Sequence, residues 1–475
     1  MGARRVVIGV DSSTQAAKAV AVDVDTGAVL GTGRAPHHVT TGAARESDPE
    51  QWWQALSTAL AATTWAHRAD AVSIAGQQHG LVTLDAAGAP VRPAVLWNDV
   101  RAAPQAAALV AEFGAAAWAA RAGSVPTAAF TAAKWRRLTE HEPEAARRVA
   151  AVRLPHDYLT ERLTGEARTD RGDASGTGWW TPAGYDTALL EHLGLPVEFL
   201  PTVVAPGTAV PARPGTPLRP GTPVAPGTGD NMAAALGLGL TPGVPVVSLG
   251  TSGTAYAVTR GRPADPTGTV AGFADALAGW LPLACTLNCT RAVDRIADLL
   301  GRDRDAVEPA GDTVVLPYLD GERTPNLPHA AGLIHGLRHD TTGGQLLQAA
   351  YDGAAHALLT ALDDVLRAGG EPIDRDVPLL LIGGGARGNA WRDTVHRLSG
   401  RPVRIPVADE LVALGAAAQA AGLLTGEAAD AVARRWGTAE GPLLEPLPRD
   451  DAALQRIADT LHNAGNLFDA APGRP

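Results

Sequence analysis

A hairpin pattern occurs twice in this chain, 240 residues apart. Val6 to Val10 form a β-branched apolar run that ends at Asp11. A small polar turn follows at Ser12, Ser13, Thr14 and Gln15, and a second apolar run returns from Ala19 to Val22. Val244 to Leu249, Gly250 to Thr254 and Ala255 to Val258 repeat that order. Short apolar runs joined by small residues read as antiparallel hairpins. In the first half a third strand starts at Ala28. A helix follows, capped by Asp48, with Pro49 in its first turn and Gln51 in capping-box position, and then a strand from Ala71 to Ala75. This mixture is α/β. The repeat predicts two related lobes, 1–240 and 241–475, whose turns face one cleft, with the tail after residue 428 packing back on the first lobe.

The rest of the chain narrows the functional classes. A length of 475 residues accommodates two large domains, and a net charge of −10 is the wrong sign for coating nucleic acid. No segment reaches the ~18 uninterrupted apolar residues of a membrane span; Ala106 to Ala120 is broken by Glu112 and Gly114. Arg4 and Arg5 precede an apolar run too short for a signal-peptide core. Two cysteines, Cys285 and Cys289, make neither a disulfide framework nor a four-thiolate zinc site. The expectation is a soluble cytoplasmic protein with no membrane and no nucleic-acid partner. Lysine occurs only at Lys18 and Lys134, and neither follows glycine or precedes Ser or Thr, which excludes a Walker A loop. The Pro/Gly/Thr-rich tract from Pro201 to Gly229 reads as a rigid surface connection.

Several groups could carry chemistry. Gly250, Thr251, Ser252, Gly253 and Thr254 form a turn whose backbone can approach a phosphate closely. Gly383, Gly384 and Gly385 follow the strand Pro378 to Ile382. With Gly388, and with Asp409 or Glu410 at the end of a strand Val403 to Val407, they satisfy the dinucleotide fingerprint; a GGG turn equally holds the adenosine half of ATP. Asp11, at the tip of a buried strand, needs a cation or several donors, and a magnesium ion held through water fits such a carboxylate beside phosphates. Lys18 can reach a phosphate as a point charge or stay solvated at a strand edge. Asp230 reads either as a helix cap or as a base for a substrate hydroxyl. Gln78 and His79 after one strand, and Trp97, Asn98, Asp99 and Arg101 after another, suit a polyhydroxylated ligand.

In this order the segments resemble the FGGY carbohydrate kinases. The resemblance runs through Asp11 to Lys18, Asp48 to Trp53, Gly76 to Gly80, Trp97 to Arg101, Leu154 to Leu159, Gly229 to Asn231, Gly250 to Gly253, Gly321 to Pro325, Gly383 to Arg387 and Leu414 to Ala417. It implies two ribonuclease-H-like lobes of the actin-like ATPase type around a central cleft, with ATP and Mg2+ as cofactors. It implies Asp230 as general base and Asp11 as the metal- and phosphate-proximal carboxylate. Gln78, His79, Trp97, Asp99 and Asn231 would bind sugar. Thr14, Lys18 and the Gly250–Gly253 turn would meet the phosphates, and Gly383 to Gly385 with Asn389 the adenosine. The reaction implied is phosphoryl transfer to the terminal hydroxyl of an open-chain ketopentose, D-xylulose first. Gln78 stands where the family's loop usually has Met before its histidine, so ribulose, a hexulose or a polyol stays open; Ser12 and Ser13 replace the usual Leu/Gly of the first hairpin and still keep its turn small. A nicotinamide-dependent dehydrogenase is the alternative from another class, and a homodimer is left open.

Overall fold

The structure, a computed structural model, describes residues 4–40, 42 and 44–469. The first sheet is built from β1 (Val6–Ser12), β2 (Ala16–Asp23), β3 (Val29–Pro36), β4 (Ala71–Gly76) and the short β5 (Val210–Pro211) and β6 (Pro223–Val224), in the order β5-β6-β4-β1-β2-β3, with β7 (Thr228–Gly229) also on β4. β1 is buried along its whole length, consistent with its β-branched composition. It pairs antiparallel with β2 and parallel with β4, and its register puts Asp11 opposite Lys18. Helix α1 (Pro49–Ala62) packs on this sheet through Trp52, Leu56 and Leu60. Asp48 caps it as expected, but the Gln51 side chain accepts from the His38 amide instead of closing a capping box. Two further helices of this half are α2 (Pro155–Thr164) and α3 (Arg171–Ser175).

After α4 (Asp230–Gly237) the pattern returns. The second sheet contains β8 (Pro245–Leu249), β9 (Gly253–Ala257), β10 (Ala271–Ala274), β11 (Trp280–Thr286), β12 (Leu379–Ile382), β13 (Val403–Arg404) and β14 (Leu443–Leu444), ordered β10-β11-β9-β8-β12-β13-β14. As in the first sheet, its first strand pairs antiparallel with the next and parallel with a later one, β8 with β9 and with β12. Two sheets of one design match the two related lobes that the repeat predicts and the ribonuclease-H-like fold that the resemblance implies. Long helix α5 (Gly343–Ala368) and α6 (Asn389–Ser399) pack in the second core.

Between the sheets lie α4 and α7 (Leu411–Thr425), in one apolar cluster with Val7 and Val22 of the first sheet and Val246 and Tyr256 of the second. Small residues set their spacing: a Cβ on Gly415 would stand 1.8 Å from the Ala233 carbonyl oxygen, and one on Gly9 1.9 Å from that of Ala413. Helix α7 is apolar nearly all round, as suits a helix with no solvent face. Its buried Gln419 accepts from Ser73 Oγ at 2.6 Å and donates to the Gly227 carbonyl at 3.2 Å. Beyond it, α8 (Ala429–Trp436) reaches the first lobe, where Arg435 and Trp436 both donate to the Val24 carbonyl, whereas α9 (Asp451–Asn463) buries Ala453 and Leu454 in the second core. Among the described residues no single helix is long and apolar enough to cross a membrane.

Three further expectations change: of the tail after residue 428 only α8 packs on the first lobe, and α9 packs on the second. The Pro201–Gly229 tract is woven into the first lobe: β6 and β7 both pair parallel with β4. The strand expected over Val403 to Val407 stops at Arg404.

Candidate active site

A cavity of about 750 Å³ opens between the lobes, lined by Asp11, Lys18, Asp230, Asn231, Gly383 and Gly384 among others. Asp11 ends β1 almost fully buried. Its Oδ1 has no partner and its Oδ2 lies 3.9 Å from Lys18 Nζ. Burial, then the nearby Asp230 charge, pushes its pKa up to about 7 against the opposing pull of Lys18. Lys18 itself donates to Glu410 Oε2 at 2.7 Å, linking β2 to the residue that precedes α7.

Asp230 is the first residue of α4, and Gly229 takes the cap position expected of it. Asp230 Oδ1 accepts from the Asn231 amide at 2.8 Å and from Asn231 Nδ2 at 3.1 Å. Burial and the Asp173 charge raise its pKa to about 7, which suits a proton acceptor working near neutral pH. Asn231 Nδ2 also donates to Gln78 Oε1 at 2.7 Å, leaving the buried Gln78 Nε2 a donor without a partner.

His79 has φ +65 and is held there from several sides. Its carbonyl accepts from Lys134 Nζ at 2.7 Å and Thr131 Oγ1 at 3.3 Å, and its ring stacks on Phe130 with 5.2 Å between centroids. Nδ1 donates to the Gly176 carbonyl at 2.7 Å, which leaves Nε2 as the acceptor of a neutral ring. Burial and the Lys134 charge lower its pKa to about 3, so it stays neutral. Trp97, partly exposed, donates through Nε1 to Thr14 Oγ1 at 3.1 Å.

Of the expected site residues, Asp11, Lys18, Asp230, Asn231, Gly383 and Gly384 line the cavity; Thr14, Gln78, His79 and Trp97 are not in its lining, and others lie apart from it too. Asp99 is committed to a fork from Arg101 Nε (3.0 and 2.9 Å) and to the Arg45 amide (2.9 Å), so its carboxylate is not free for a ligand. Asn389 is exposed at the first turn of α6 and is not in the lining. At the second hairpin Ser248 and Thr254 line the cavity, not Thr251 or Ser252. Gly253 packs against Leu358 and Thr286, and the Gly250 carbonyl accepts from Thr290 Oγ1 at 2.9 Å. Gly383, at φ +88, and Gly385 press on Leu249, whereas Gly384 faces open space. The dinucleotide fingerprint dissolves: a 3-10 turn over Gly384–Arg387 follows β12, Asp409 pairs with exposed Arg387, and Glu410 with Lys18.

Behind Asp230 lies a group that sequence reasoning missed. His156 of α2, fully buried, places Nε2 3.2 Å from Asp173, 3.3 Å from Asp157 and 3.7 Å from Asp170. Burial alone would lower its pKa, but the three carboxylates outweigh burial and hold it at about 9, as a cation. Asp170 caps α3 through the Gly172 and Asp173 amides and accepts from Thr228 Oγ1 at 2.7 Å, two residues before Asp230. The only sequence signal was the matching segment Leu154 to Leu159; Lys134 gave none beyond its rarity.

Residues 6–237 match the model described as the N-terminal domain of the FGGY family of carbohydrate kinases, and residues 246–423 match its C-terminal domain. A xylulose kinase from Streptomyces coelicolor is 67% identical over 470 residues, 98% of this chain and 97% of that protein. The crystal structure of a xylulose kinase from Bifidobacterium adolescentis superposes with a TM-score of 0.83 at 35% identity, covering 97% of this chain and 100% of that one. A gluconate kinase from Lactobacillus acidophilus shares the fold at 18% identity, with a TM-score of 0.90 over 99% of each chain. Both halves of the repeat thus match one family in order, which sets the dehydrogenase alternative aside: the chain is a sugar kinase and belongs to the FGGY family of carbohydrate kinases.

Proposed function

We propose that the enzyme transfers the γ-phosphoryl group of ATP to the terminal hydroxyl of D-xylulose, giving D-xylulose 5-phosphate and ADP. Likeness over nearly the whole length to proteins named xylulose kinase supports the sugar; the observation that carries the chemistry is Asp230. A half-buried carboxylate on the cavity wall with its pKa raised to about 7, anchored to its own helix turn, takes the proton of the attacking hydroxyl. The sugar oxygen then bonds to the γ-phosphorus as the bond from phosphorus to the ADP oxygen breaks. Gln78 Nε2 offers a hydrogen bond to one sugar oxygen and His79 Nε2 accepts from a hydroxyl. Gly383 and Gly384 admit the nucleotide, and Lys18 meets its phosphates.

Mg2+ fits Asp11, whose buried Oδ1 lacks any partner. Among the described residues no group of three or more His, Cys, Asp or Glu side chains is arranged to hold a metal ion, so phosphate oxygens and water would complete the shell at Asp11. When bound, the ion neutralises phosphate charge in a transfer that is mainly positioning and electrostatics. ADP release measured across D-xylulose, D-ribulose, D-fructose, gluconate and glycerol tests the proposal. The highest kcat/KM is expected with D-xylulose; a higher value with another acceptor, or no release at all, overturns it.

A further inference from the structure

On the far side of the second lobe, α5, the end of α6, α9 and the segment around Arg375 enclose a second cavity of about 370 Å³, which shares no lining residue with the cleft. Its charged lining is arginine-rich in a chain of net charge −10: Arg375, Arg401 and Arg449 face Asp363 and Asp451. Leu362, Leu398 and Leu454 supply an apolar floor.

The arginines are incompletely matched. Arg401 is 1% exposed; its Nη1 donates to the carbonyls of Asp374 and Val377, and its Nη2 donates to nothing. Arg375 reaches Asp363 at 3.4 Å and the Ser399 carbonyl at 3.3 Å, both long contacts. Arg449 pairs at 3.2 Å with Asp451, whose side chain is mostly in water. His356 brings a buried Nδ1 that also lacks a partner. In two separate groups burial first, and neighbouring arginines after it, disfavour the charged form. Burial and then Arg375 lower the pKa of Arg401, with Arg449 adding to them against Asp363 and Asp374; burial and Arg449 hold His356 down at about 4.

We propose that this cavity binds the phosphate group of a small phosphorylated compound, as a site separate from the catalytic cleft. Unpaired buried donors are costly, and an oxyanion satisfies them. Three guanidinium groups around one space match the three free oxygens of a phosphate monoester better than the two of a carboxylate. The leucine floor suits a short carbon skeleton. Helix α6 runs about 16 Å from just beyond the Gly383–Gly385 turn to Ser399 on the cavity wall, so one rigid element touches both regions.

The site goes beyond the kinase reading and is tested apart from it. Calorimetric titration with inorganic phosphate, ribose 5-phosphate and malonate is done on the full chain with the cleft filled by D-xylulose and a non-hydrolysable ATP analogue; ADP release is assayed separately on the same protein with D-xylulose and ATP, without the analogue. One saturable phosphate or ribose 5-phosphate site per chain is expected, weakened at least tenfold in the double variant Arg375→Gln, Arg449→Gln, with turnover unchanged. Both substitutions leave the buried Arg401 in place. Tighter ribose 5-phosphate identifies an ester as the ligand, and equal affinities identify free phosphate; either supports the site. No saturable binding, malonate binding as tightly as phosphate, or unchanged affinity in the double variant overturns it.

Discussion

Asp230 is expensive to the fold and necessary to the chemistry, and both follow from its loss of solvation beside the Asp173 charge. Asp230→Asn is expected to lower kcat by about 10²–10⁴, the range of a lost general base, while calorimetry still shows ATP binding. The wild-type kcat/KM for the sugar should rise with pH up to about 7, where Asp230 ionises, and level off above it. For stability the sign runs the other way. A carboxyl whose pKa is raised from 3.8 to about 7 binds more protons in the folded state, so its contribution falls as pH rises through that window, and Asp230→Asn should have the higher urea midpoint at pH 8. His156 is its counterpart. Its pKa, raised from 6.5 to about 9, gives stability that is complete below 6.5 and lost as pH climbs through 9. His156→Gln should cost about 3–5 kcal/mol at pH 6.5, a broken buried ion cluster, and His156→Lys should recover most of it. Asp230 was legible because its neighbours Gly229 and Asn231 form a local motif. His156 and Lys134 were not, since their partners Asp173 and the His79 carbonyl come from distant segments.

At the level of elements, legibility tracked the range of the contacts. The two hairpins were readable because each closes on itself within a few residues. The Pro201–Gly229 tract looked structureless because its two-residue strands owe their form to β4, some 150 residues earlier. Helix α7 showed no polar face to mark its boundaries, and its partners are the small residues of α4. That contact is also the sensitive one: Gly415→Ala should destabilise the chain by about 1–3 kcal/mol in urea unfolding, since the added methyl meets a backbone carbonyl that no rotamer change can move. An unchanged midpoint would mean that the two helices separate freely.

Across the whole molecule, two sheets share α4 and α7 as their common layer, with α8 fastened to the first lobe and α9 to the second. The repeat made the two-lobe plan visible in the sequence; the shared layer was not, because it is assembled from residues on either side of the boundary. Closure about such a layer would exclude water from the reacting groups. A smaller radius of gyration by X-ray scattering is expected with D-xylulose and a non-hydrolysable ATP analogue together than with either alone. The ion pair between Lys18 and Glu410 has a consequence for what enters first. The cleft wall sets Asp11, Asp230, Asp409 and Glu410 against Lys18, Arg387 and Arg392, so a bare triphosphate meets no net positive charge and must also take Lys18 from its present partner. A ketose, being neutral, meets no such barrier. Chelating the divalent cation should therefore weaken ATP binding at least tenfold in calorimetry and leave sugar binding nearly untouched, because the cleft admits nucleotide only after its charge has been discounted.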